Sequence, residues 1–168
     1  MARSDIDPGR RGFLRGRARP TPAVRPPWSD TDRFTALCTR CTRCAEACPE
    51  GIIRPGDGGF PEIDFSLGEC SFCRACAETC PEPLFAAAGR PWNLIATIGA
   101  QCLATRRIEC RICQDACPEA AVLFRPALRS AAQVTIDPTA CTGCGACVST
   151  CPATAITLQV RSEADHAA

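Results

Sequence analysis

The chain has 168 residues, among them 16 cysteines, 15 prolines, 12 glycines and no tyrosine, so ordinary apolar burial is thin for the length and bound metal is the obvious supplement. The formal charge of +1 hides an asymmetry: residues 1–27 hold seven Arg against two Asp, the remainder twelve Arg against sixteen acids, and no residue is Lys. A near-neutral body argues against nucleic-acid binding, the single histidine, His166, leaves imidazole chemistry almost nothing to work with, and no uncharged run offers the about 20 predominantly apolar residues of a membrane span.

Residues 1–28 are rich in Arg, Pro and Gly without hydrophobic periodicity, which predicts a disordered arm ending near Pro26-Pro27. Residues 10–15 read Arg-Arg-Gly-Phe-Leu-Arg, similar to the core of a twin-arginine export signal, yet no apolar segment follows. No cleavable signal is expected, so the cysteines should stay reduced or metallated. Arg10, Arg11, Phe13 and Leu14 are candidate partner contacts; the plainer reading is a solvated arm.

Beyond the arm, Ser29 or Asp30 can cap a short helix leading to Phe34 and Leu37. From there a unit of 32 to 37 residues recurs four times, each copy closing on a cysteine followed by proline: Cys48-Pro49, Cys80-Pro81, Cys117-Pro118 and Cys151-Pro152. Between the second and third copies, Pro91 and apolar residues at helical spacing predict a connecting helix within residues 85–100. Val134-Thr135-Ile136 and Ala155-Ile156-Thr157-Leu158 flank the last copy and can pair as small strands, and Glu62-Ile63-Asp64-Phe65 alternates like another. The expected organisation is an arm (1–28), a first module (29–84), the connecting helix (85–100), a second module (101–160) and a polar tail (161–168).

Three copies are complete: Cys38, Cys41, Cys44 and Cys48; Cys70, Cys73, Cys76 and Cys80; and Cys141, Cys144, Cys147 and Cys151, each spaced Cys-x2-Cys-x2-Cys-x3-Cys-Pro. This is the bacterial [4Fe-4S] spacing, in which the fourth cysteine serves the neighbouring cluster. A structural zinc site normally pairs two Cys-x2-Cys knuckles and needs no third cysteine with Cys-Pro. The expected fold is therefore small and α+β, with two bacterial-type [4Fe-4S] ferredoxin-like modules in tandem after the disordered arm.

Crossed ligation within sequential copies assigns Cys38, Cys41, Cys44 and Cys80 to one cluster and Cys70, Cys73, Cys76 and Cys48 to a second. Cys141, Cys144, Cys147 and Cys117 form a third set, leaving Cys110, Cys113 and Cys151 one thiolate short. Cys102 is the candidate, although Arg107 stands where the first cysteine of this copy belongs and seven residues separate Cys102 from Cys110. Ligation is the favoured reading, because three thiolates on a cube invite loss of the exposed iron; the plainer one is a buried free thiol, and a nested pairing of first with fourth copy and second with third uses the same ligands. The expected cofactors are four [4Fe-4S] clusters.

Loop composition suggests an order of potentials. The first loop carries Arg40 and Arg43, the second Arg74 and the third Arg111, while the fourth has only Thr142, Gly143, Gly145 and Ala146. Nearby positive charge favours the reduced cluster, so the Cys141/Cys144/Cys147 centre is expected to be the most reducing, unless those arginines simply point into water. No G-x-G-x-x-G or phosphate-binding Gly-Lys-Ser/Thr loop is present, so nucleotide cofactors are not indicated.

With four ferredoxin motifs in so short a chain, the Arg10-Arg11-Gly12-Phe13-Leu14-Arg15 start and the displaced motif Cys102-x7-Cys110-x2-Cys113-x3-Cys117-Pro118, the sequence resembles the NapF family. These are ferredoxin-type accessory proteins of periplasmic nitrate reductase systems, and the resemblance covers nearly the whole chain. It implies a cytoplasmic protein that meets the molybdenum-containing catalytic subunit of periplasmic nitrate reductase before export and assists its maturation, by assembling or reducing that subunit's own cluster; since no further cofactor or acid-base site accompanies the cysteines, no enzymatic activity of its own is expected. An electron relay between a cytoplasmic donor and a reductase would use the same cysteines.

Overall fold

Short helices follow directly from the cysteine spacing. The computed structural model describes residues 23–125 and 132–161. One helical turn, α1 (Phe34–Leu37), precedes the first motif, and one turn sits inside each copy: α2 (Arg43–Glu46), α3 (Ala75–Glu78), α4 (Ile112–Asp115) and α5 (Ala146–Ser149). In α2 to α5 the third cysteine of the copy is the second helical residue, and the Cys-Pro pair follows the helix, where a residue without N–H ends the turn. Asp30 provides the entry to α1, its Oδ1 accepting the N–H groups of Asp32 (3.2 Å) and Arg33 (3.1 Å). Ser29 instead donates to the Pro26 carbonyl at 2.7 Å.

Three two-stranded antiparallel sheets complete the fold: β1 (Ile53–Pro55) with β2 (Pro61–Ile63), β3 (Leu94–Ile98) with β6 (Ile156–Val160), and β4 (Val122–Arg125) with β5 (Gln133–Ile136). The anticipated strand segments around residues 62, 134 and 156 are all present. The two that flank the last copy do not pair with each other; Val122 opposes Ile136 in one sheet and Ile98 opposes Ile156 in the other.

The connecting helix expected within residues 85–100 is a strand. Leu94, Ile95 and Ala96 are buried in succession, because β3 is covered on both faces, and a run of that kind imitates a helical stripe when read by spacing alone. β-branched Ile95, Thr97 and Ile98 suit the pleated alternative. Cys102 accordingly stands in the turn after β3, ahead of a 3-10 turn at Ala104–Arg106, not on a helix face.

The arm also ends earlier than expected. Pro26 and Pro27 are fully buried, the Val24 carbonyl accepts the Ile63 N–H at 2.8 Å, and Arg25 pairs with Glu62 at 3.4 Å while its guanidinium lies over Phe34 and Phe60. Arg10, Arg11, Phe13 and Leu14 lie outside the described residues, as does the tail from residue 162. Arg161, assigned to the tail, is buried.

The two halves share apolar packing. One core cluster gathers Ile52, Ile53, Ile63 and Phe65 of the first half with Leu94, and Trp92, Val148 and Leu158 pack against it. The loops of the second and fourth motifs meet there: the Cys70 N–H donates to the Cys144 carbonyl at 2.8 Å and Trp92 Nε1 to the Thr142 carbonyl at 3.1 Å. A Cβ on Gly145, whose φ is +90°, would stand 2.1 Å from the Phe65 ring. Close approach and backbone conformation both demand glycine at this position.

Gly145→Val should therefore destabilise the loaded protein, with overpacking alone costing about 1–3 kcal/mol. Phe65→Ala in the same chain should make the two effects strongly non-additive in a thermal-unfolding double-mutant cycle; additive losses would show that the two groups do not meet.

Candidate metal centres

Four cavities are each walled by four cysteines. One is lined by Cys38, Cys41, Cys44 and Cys80, the next by Cys48, Cys70, Cys73 and Cys76, the third by Cys117, Cys141, Cys144 and Cys147, and the fourth by Cys102, Cys110, Cys113 and Cys151. Three cysteines of each set come from one copy and the fourth from its sequential partner, so the structure brings together the sequential sets and not the nested ones. The displaced Cys102 joins the other three of its set because the turn after β3 returns the chain to α4. None of the sixteen cysteines is paired in a disulfide.

The donor set is soft and purely thiol, suited to iron-sulfur or zinc. The four thiols of each set line one cavity. Three cysteines from one Cys-x2-Cys-x2-Cys loop with a fourth from the sequential Cys-Pro match the [4Fe-4S] arrangement, whereas a structural zinc site pairs two Cys-x2-Cys knuckles. Burial pushes the Cys76 and Cys147 thiols up to about 12, and those of Cys44, Cys70 and Cys113 up to about 11, with neighbouring cysteines adding to the shift. Exposed Cys41 is shifted down instead, chiefly by the Arg43 backbone N–H. Buried thiolates so close together are stable only with cations among them, which is what iron would supply.

Backbone conformation prepares the loops. Arg40 and Thr42 in the first loop, Phe72 and Arg74 in the second, and Gly143 and Gly145 in the fourth all have positive φ, at matching positions between the cysteines. Alternating left- and right-handed residues turn successive N–H groups into a concavity that suits an anion. Only the fourth loop uses glycine; each non-glycine residue held there costs roughly 1–2 kcal/mol. The third loop departs from the pattern, since Arg111 has φ −132° at the position where the others are left-handed. Direct N–H donors to sulfur also occur: Arg40 to Cys38 (3.4 Å), Ala121 to Cys117 (3.3 Å) and Ala155 to Cys151 (3.3 Å).

Several loop arginines are taken up by aromatic rings. Arg40 lies over Phe60 (5.3 Å), Arg74 over Trp28 (4.4 Å) and Arg111 over Phe124 (5.3 Å). Sequence reasoning missed the aromatic run at the junction, where Trp28, Phe72, Trp92 and Phe65 contact one another edge to face. It gave no weight to Arg161 either, because a lone arginine after a strand normally faces water.

Among the described residues no helix is long and apolar enough to cross a membrane. Two stretches, residues 37–83 and 106–155, match the family model of a 4Fe-4S dicluster domain; two such domains with sixteen cysteines fit about four [4Fe-4S] clusters. The ferredoxin-type protein NapF of Escherichia coli K12 is 48% identical over 92% of this chain and 96% of its own length. NapF of Haemophilus influenzae is 50% identical over 80% of this chain and 78% of its own. The methylamine utilization ferredoxin-type protein MauM of Methylobacillus flagellatus is 30% identical over 80% of this chain and 68% of its own. These likenesses support an iron-sulfur electron-transfer protein, a kind that in general carries electrons and is not itself an enzyme. The chain belongs to the NapF family of ferredoxin-type proteins.

Proposed function

We propose that the sixteen cysteines hold four [4Fe-4S] clusters in the four sequential sets, and that the loaded protein binds the cytoplasmic precursor of a periplasmic nitrate reductase catalytic subunit and assists its maturation before export. The observation that carries the reading is the division of all sixteen cysteines into four cavities of four, in a chain of NapF type.

A bound [4Fe-4S] cluster supplies one-electron chemistry at each site. The protein's own residues hold, shield and present it. Cys102, Cys110, Cys113 and Cys151 would hold the centre of the displaced motif. The N–H groups of Arg40, Ala121 and Ala155 donate to the sulfurs of Cys38, Cys117 and Cys151, and Ile52, Ile53 and Ile63 exclude water from the Cys48/Cys70/Cys73/Cys76 site. Cys41 and Cys73 are exposed and mark where a partner comes closest. Arg10, Arg11, Phe13 and Leu14 are the proposed partner contact, and the positive charge of residues 1–27 opposes a body that each four-thiolate cluster makes more negative by about 2.

A relay between a cytoplasmic donor and a reductase is the second reading. The Cys70 to Cys144 hydrogen bond favours it, since it places the cysteine loops of the two halves against each other.

Cys102→Ser should lower iron and acid-labile sulfide or leave a three-iron signal; unchanged content with unaltered spectra would remove Cys102 from the ligand set. Metal-free, reduced protein should lack a cooperative unfolding transition, and a near-native transition would contradict a fold that depends on its clusters. The decisive comparison is the iron and sulfide content of the reductase catalytic subunit from cells with and without this protein. Cluster-deficient subunit in its absence is the expected outcome, whereas fully loaded subunit from both strains would move the assignment to the relay.

A further inference from the structure

Among the described residues, Arg161 is the charged side chain that is buried, with 7% of its surface exposed. It follows β6, where its N–H donates to the Asn93 carbonyl at 2.9 Å, and its side chain runs back to the fourth motif. Nη1 donates to the Pro138 carbonyl and Nη2 to the Cys141 carbonyl, while Nε has no hydrogen-bond partner. The ion pairs among the described residues, Arg25 with Glu62, Arg33 with Asp30 and Arg111 with Glu109, leave Arg161 out.

A buried guanidinium without a carboxylate is costly, because carbonyl dipoles satisfy its N–H groups without cancelling its charge. What it holds instead is the backbone of a cysteine. Cys141, whose carbonyl it holds, lines the cavity shared with Cys117, Cys144 and Cys147. The loop between those cysteines carries no charged side chain of its own.

We propose that Arg161 is the fixed counter-charge of the centre held by Cys117, Cys141, Cys144 and Cys147, positioning Cys141 through its carbonyl and raising that centre's midpoint potential. The inference rests on the cluster assignment above. A four-thiolate cluster becomes more negative on reduction, so a permanent cation beside it stabilises the reduced form. Burial protects that cation from salt screening, unlike the exposed Arg40 and Arg43. This runs against the loop-based expectation that this centre is the most reducing, because its positive charge comes from fourteen residues beyond Cys147, not from the loop.

The test compares Arg161→Gln and Arg161→Lys in the full chain. Iron and sulfide are assayed first, then potentials are titrated with EPR detection at low and high ionic strength. Full cluster content, a downward shift of one centre in Arg161→Gln that persists in high salt, and recovery of most of the shift in Arg161→Lys are the expected results. Unchanged potentials in a fully loaded Arg161→Gln protein would overturn the proposal. Should Arg161→Gln lose iron, Arg161→Lys decides: full iron with a near-wild-type potential supports the charge role, and iron loss or a full downward shift overturns it. Wild-type protein without four clusters' worth of iron would instead overturn the cluster assignment itself.

Discussion

A buried thiolate needs a cation, and this chain gathers its thiols in four groups, several of them buried inside its two apolar clusters. That constraint governs the architecture. Helices are single turns because their task is to present the third cysteine and, one turn later, pass the fourth to the neighbouring site. Thiols pushed up to about 12 at Cys76 and Cys147 make the same point energetically, since the folded arrangement is unfavourable for bare thiolates and favourable once iron neutralises them.

Sharing extends beyond the pairs of sites to the pair of modules. Phe65 and Ile63 from one half pack in the same cluster as Leu94, with Val148 and Leu158 from the other half against it. Gly145 leaves just enough room for the Phe65 ring. The aromatic run from Trp28 to Phe65 lines this seam, and the arginines that the loops carry are spent largely on rings, which keeps their charge at the periphery.

The metal sites were largely legible in the sequence because covalent spacing determines them: Cys-x2-Cys-x2-Cys-x3-Cys-Pro leaves the chain little choice, and even Cys102 could be nominated by elimination. What was not legible depends on contacts distant in sequence. Leu94–Ile98 reads as a helical stripe until Ile156–Val160 is laid beside it. Residues 24–28 read as linker because nothing local announces that Arg25 will find Glu62, Phe34 and Phe60. Arg161 looks like the start of a polar tail, and only the fold turns it towards Cys141. The non-glycine positive-φ residues Arg40, Thr42, Phe72 and Arg74 defy local preference, as residues at metal sites often do.

The pairing of β3 with β6 also orders events during synthesis. β3 emerges from the ribosome some sixty residues before the strand it pairs with, while β1 and β2 are separated by only five residues. The first module has all its cysteines and its own hairpin available once Cys80 is out. The second cannot close its sheet until the last described residues are made, and the Phe65 face stays uncovered until Gly145 arrives. The amino-terminal pair of cysteine sets is thus the first to have its elements available, while the carboxy-terminal pair and the seam between the halves wait for β6.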